Sequence, residues 1–167
     1  FYMSLPIENL QNEQSSRYIP HAVGSANMEV LTLLQDKYPK DELPELNSSL
    51  ISTAITKVLT HPVISDDDKI LALNEFLKIA PINNYTFNVA YSNLSQELYL
   101  WLIETGFKVS GAVLQGYAEN DDIEMTEFLM AEPFNLKPTI PICRRSGKYS
   151  TEMKLLLNCK NEQKIQE

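Results

Sequence analysis

Nucleophilic or acid–base chemistry in this 167-residue chain would draw on two histidines, His21 and His61, two cysteines, Cys143 and Cys159, and 22 carboxylates. A Cys–His nucleophile needs thiol and imidazole within hydrogen-bond reach. No short spacing brings these four residues together, so Cys143 is expected to fill the apolar, inert role usual for this side chain. Two cysteines without a CxxC motif predict free thiols in a reducing compartment. Metal ligands fare no better, since HExxH and paired Cys or His spacings are absent. Asp66, Asp67 and Asp68 could offer oxygens to a divalent cation, but they lack the alternating spacing and glycine of a calcium loop. They predict instead a helix N-terminus ahead of Lys69 to Ile79, with carboxylates capping it and complementing its dipole. Gly111 to Gly116 imitates a phosphate loop, but Tyr117 and Ala118 stand where Lys and a hydroxyl are required. That segment predicts a turn entering a helix. No catalytic residue, metal or cofactor is expected.

Charge narrows the partners. Residues 1–136 hold 19 acidic and 7 basic groups, a balance of −12, whereas residues 137–167 hold 3 acidic and 7 basic groups, a balance of +4. The acidic body would repel phosphate, which argues against nucleic acid as a partner. The longest apolar run, Leu98 to Ile103, is far too short to span a bilayer. With no basic-then-apolar leader, a cytoplasmic location is expected. Phe1 at the first position suggests a piece of a longer protein.

The elements that must position any surface show a repeat. Ala90 to Ile103, Tyr117 to Met130 and Arg145 to Leu157 align on Glu97, Glu124 and Glu152, which are 27 and 28 residues apart. Ala22 to Leu34 is a further copy around Glu29. A less regular one has Ala54 and Ile55 in its first helix and Leu71 to Ile79 as its second. Apolar residues recur at helical spacing in the second helices, as in Val30, Leu33 and Leu34; Leu98, Trp101 and Leu102; Met125, Phe128 and Leu129; Met153, Leu156 and Leu157. Asn27, Ser95, Asp121 or Asp122, and Ser150 stand where N-caps belong. The first helices are short, with Ala22, Ala54, Ala90 and Ala118 at the points of close approach. Hairpins this small must stack to bury their apolar faces. The prediction is an all-α solenoid of about ten helices.

This pattern resembles the ankyrin repeat. Ala22, Asn27, Glu29, Val30, Leu33 and Leu34 match its signature in the first copy. Ala90, Glu97, Leu102 and Gly106 match in the third, and Pro141, Glu152 and Leu155 to Leu157 in the last. The His of the family's TPLH motif is absent: Pro20, Ser52, Asn88, Gln115 and Cys143 occupy its place. Periods of 27 and 28, below the family's 33, imply shortened β-fingers. The resemblance implies an all-α helical-hairpin solenoid of about five degenerate copies over residues 17–158. Their bounds are 17–47, 48–81 with an insertion at 58–68, 82–110, 111–138 and 139–158, between an extension 1–16 and a tail 159–167.

Such solenoids bind proteins on a concave face. The resemblance therefore implies a non-catalytic protein-interaction module, with contact positions at Ser25, Asn84, Ser92, Asn93, Lys108, Glu119, Asn120, Lys137 and Lys148. The alternative is an accessory, substrate-recruiting part of an enzyme whose catalytic residues lie elsewhere. Divergent copies on an Asn- and Ile-rich background resemble those of effectors from intracellular bacteria or of viral proteins, which implies a host protein as partner. Phe87, Trp101 and Phe107 are expected in the core, while Tyr91 and Tyr99 stand open between core and contact surface. Arg144, Arg145 and Lys148, with Lys154, Lys160 and Lys164, predict a solubilising cap on the last copy, with an anionic ligand at the first three as the lesser reading.

Overall fold

The computed structural model describes residues 48–82, 84–144 and 146–158. Ser25, His21, the copy 17–47, the extension 1–16, Arg145 and the tail 159–167 lie outside the described residues. The chain divides into two units, 1–83 and 84–167. The described residues are mostly helical, consistent with an all-α protein.

In the first unit, α1 (Ser48–Leu59) and α2 (Asp66–Ile79) form a hairpin. Ile51, Ala54, Ile55, Val58 and Leu59 make the buried face of α1, and Ala72, Leu73 and Phe76 that of α2. Both sets follow helical spacing. Val58 and Leu59 therefore end α1 instead of opening an insertion, and the connection shrinks to residues 60–65. Ser65 caps α2, its hydroxyl accepting from the Asp68 N–H at 3.2 Å. The three aspartates occupy the first turn that follows, where the helix dipole favours them. Asp66 also pairs with the buried Lys69 at 3.3 Å. His61 closes the connection locally, its Nδ1 accepting from the Val63 N–H at 3.3 Å.

The second unit opens on β1 (Thr86–Phe87), followed by α3 (Gln96–Glu104), β2 (Lys108–Val109), α4 (Gly111–Glu119) and α5 (Ile123–Met130). It closes with the five-residue α6 (Ile140–Arg144), a 3-10 turn at Ser146–Lys148 and α7 (Thr151–Leu157). β1 and β2 pair in parallel, Thr86 with Lys108 and Phe87 with Val109. The stretch ahead of α4 thus carries a short paired strand, whereas residues 131–139 ahead of α6 have none. Gly111 starts α4, so the segment expected as a turn is itself helix.

The predicted second helices α3, α5 and α7 carry their predicted caps and part of their predicted cores, with Met125, Phe128 and Leu156 only half-buried. Leu98, Trp101 and Leu102 are buried on α3, Leu129 on α5, and Met153 and Leu157 on α7. Ser95, Asp122 and Ser150 each accept a hydrogen bond from the backbone N–H three residues ahead. That removes one orphan donor from each of these three helix starts. Gly106, at φ 86°, ends α3 in a left-handed turn, with its N–H on the Ile103 carbonyl and the Phe107 N–H on the Leu102 carbonyl. This turn delivers Phe107 to the core, against Tyr85 and Trp101.

One expected helix is missing. Around Ala90 the chain runs irregularly from β1 to α3. Asn88, Ser92 and Asn93 lower helix propensity, because their short polar side chains favour local backbone alternatives. Asn93 adopts φ 51°.

Candidate functional site

The starts of α3, α5 and α7 are tied in sequence order. The Gln96 amide donates to Glu124 Oε1 at 3.3 Å, across 28 residues. The Ser150 N–H donates to Asp121 Oδ1 at 3.2 Å, across 29 residues. α5 packs on α4 and on α7. Equivalent helix starts therefore follow each other at about the spacing seen between Glu97, Glu124 and Glu152. The hairpin tip before α5 is shaped by Asp121 at φ 57° and by the Asn120 amide, which donates to the Gly116 carbonyl at 2.8 Å.

Most of the predicted contact positions lie on the surface. Asn84, Asn93, Lys108, Glu119, Asn120, Lys137 and Lys148 are exposed, as are Arg144 and Lys154. Glu119 accepts from Gln115 at 2.7 Å. Ser92 differs from its neighbours: it is half-buried, and its hydroxyl shares a hydrogen bond with the Tyr99 hydroxyl at 3.2 Å. Tyr99 in turn donates to the Tyr117 hydroxyl at 3.2 Å. With the Tyr99 proton committed to Tyr117, the Ser92 hydroxyl is the donor to Tyr99. Burial pushes the Tyr99 phenol well above the ordinary tyrosine value, opposed by the bond from Ser92 and reinforced by Tyr117.

This three-hydroxyl chain lies in an aromatic cluster. Tyr99 meets Phe87, Tyr117 and Phe134 edge-on, with centroids 6.0, 6.2 and 6.2 Å away. Tyr91 meets Tyr117 at 5.2 Å. Phe87, Trp101 and Phe107 are buried, as expected of core residues. The two undecided tyrosines part: Tyr99 is completely buried, while Tyr91 stays 44% exposed. Sequence spacing could not pair Ser92 with Tyr99 and Tyr117, because the contact runs between an irregular segment and two helices.

Helix α4 and the irregular segment meet at Gly116. A Cβ there would stand 1.5 Å from the Ala90 carbonyl oxygen, so only glycine admits this approach. Ala90 thus does serve a close approach, through its backbone rather than as a helical alanine.

Cys143 is half-buried on α6 and disulfide-bonded, which overturns the expectation of free thiols and removes the compositional argument for a reducing compartment. Among the described residues, no three His, Cys, Asp or Glu side chains are grouped to hold a metal ion. Nor, among them, is any helix long and apolar enough to cross a membrane. No protein-family model, curated protein or solved structure matches the chain.

Proposed function

We propose that this chain is a protein-interaction module, a stack of divergent ankyrin-like hairpins that presents its helix ends and inter-hairpin turns to a partner protein. The observation that carries the reading is the pair of ties from α3 to α5 and from α5 to α7, at 28 and 29 residues. Those ties give helix ends a regular placement, and regular rows of exposed ends are what repeat proteins use for recognition. The exposure of Asn93, Glu119, Asn120 and Lys148 supports the same reading. Ser92 acts from behind this surface, holding its segment through Tyr99.

A combined variant tests it: Asn93→Gly, Glu119→Gln and Lys148→Ala. Glycine keeps the left-handed backbone at Asn93 while removing its amide. The full chain and the variant are used as baits in quantitative affinity purification from the source cells. The expected result is loss of the enriched partner at an unchanged melting temperature. Equal enrichment by both baits would sink the assignment of these positions.

A further inference from the structure

The segment from Asn88 to Leu94, where a helix is expected and none forms, is clamped to the second unit at several points. The Ala90 backbone lies against Gly116. The Tyr91 ring sits 5.2 Å from that of Tyr117, the Ser92 hydroxyl bonds to Tyr99, and Leu94 is buried. What the clamps leave outside is Tyr91, with Asn88, Ala90 and Asn93 around it in the chain. A loop held rigidly on a scaffold is the usual carrier of binding residues. A tyrosine already fixed by its backbone and by a ring neighbour gives up little entropy when a partner covers it.

The charge of the surroundings defines the partner. The helices beneath the segment, α3 and α4, carry Glu97, Glu104 and Glu119 and no Lys or Arg. Across residues 84–136 there are eight carboxylates and one cation, Lys108. Resting on the interaction reading above, we infer that the clamped segment is the docking surface for a Lys- and Arg-rich segment of the partner, with Tyr91 as its aromatic anchor. A guanidinium stacks on the Tyr91 ring by cation–π attraction, and the carboxylates of residues 84–136 draw in and hold the flanking cations.

The test uses the full chain and three fluorescein-labelled nine-residue peptides. One alternates Arg with Ser, one replaces each Arg with Gln, and one replaces each with Glu. Fluorescence anisotropy at fixed salt is expected to show binding of the Arg peptide alone. Tyr91→Ala also loses the ring contact with Tyr117 and is measured below its melting transition; it should weaken binding at least about fivefold, the scale of a partly desolvated cation–π contact. Tyr91→Phe keeps the ring and should stay within about twofold. Asp67→Asn removes one carboxylate outside residues 84–136, to which the attraction is assigned, and should also stay within about twofold. Equal binding of the Gln or Glu peptide overturns the basic-partner assignment, as does full affinity in Tyr91→Ala or an equal loss in Asp67→Asn. Binding of no peptide overturns it too, while the interaction reading stands or falls on its own combined variant.

Discussion

At the scale of single residues, Gly116 and Tyr99 carry the sharpest consequences. Gly116→Ala forces a methyl into the Ala90 carbonyl, and backbone on both sides must move. Overpacking of this kind costs about 1–3 kcal/mol or more, so the urea midpoint should fall although alanine favours helix. Tyr99→Phe removes the middle of the hydroxyl chain and leaves Ser92 and Tyr117 without their shared partner. A loss of about 1–2 kcal/mol is expected in the same measurement. The raised Tyr99 pKa has a definite sign in pH. The folded state keeps the phenol protonated above the pH at which the unfolded chain releases it. The unfolded state then binds fewer protons, and stability falls as pH rises. The contribution is intact below the unfolded value, about 10, and is lost progressively above it. Denaturant titrations between pH 9 and 11 should show this decline in the wild type and a shallower one in Tyr99→Phe. Cys143, being disulfide-bonded, should resist iodoacetamide until a reductant is added, as peptide mass spectrometry would show.

At the scale of elements, the helix starts are the recurring device. Ser95, Asp122 and Ser150 do the same work on α3, α5 and α7, and a Glu in each first turn adds favourable dipole charge. Ser150→Ala should cost about 1 kcal/mol, seen as faster amide hydrogen exchange over α7 than over α3. α7 has only seven residues, too short to persist without its cap and its packing on α5. The missing helix before α3 is an element-level event of another kind. Its residues give up an intrahelical ladder and gain fixed contacts with α3 and α4.

At the scale of the whole molecule, charge is the property that acts everywhere. A formal charge of −8 at pH 7 and a sequence pI near 4.8 place the solubility minimum on the acid side. Turbidity should peak as pH falls toward that value and clear again below it. The sign also changes along the chain, from −12 over residues 1–136 to +4 over the remainder.

The amino-acid sequence alone determined the helices whose apolar spacing, cap and first-turn Glu agree: α3, α5 and α7 were legible from Leu98, Leu129 and Met153 and from Ser95, Asp122 and Ser150. It also marked Phe87, Trp101 and Phe107 as core, because burial of large rings follows from position in such a hairpin. It misplaced the boundaries of the first hairpin, since Val58 and Leu59 read equally well as helix end or loop start until their neighbours are known. Only the tertiary structure decided the segment around Ala90. Helix there was the local expectation, but long-range contacts with Gly116, Tyr117 and Tyr99 outweigh one weak turn of helix. Those same contacts separated Tyr91 from Tyr99 and turned Ser92 from a surface contact into a support. Local periodicity reports which face an isolated element buries. It carries no information about a partner that arrives from two dozen residues away.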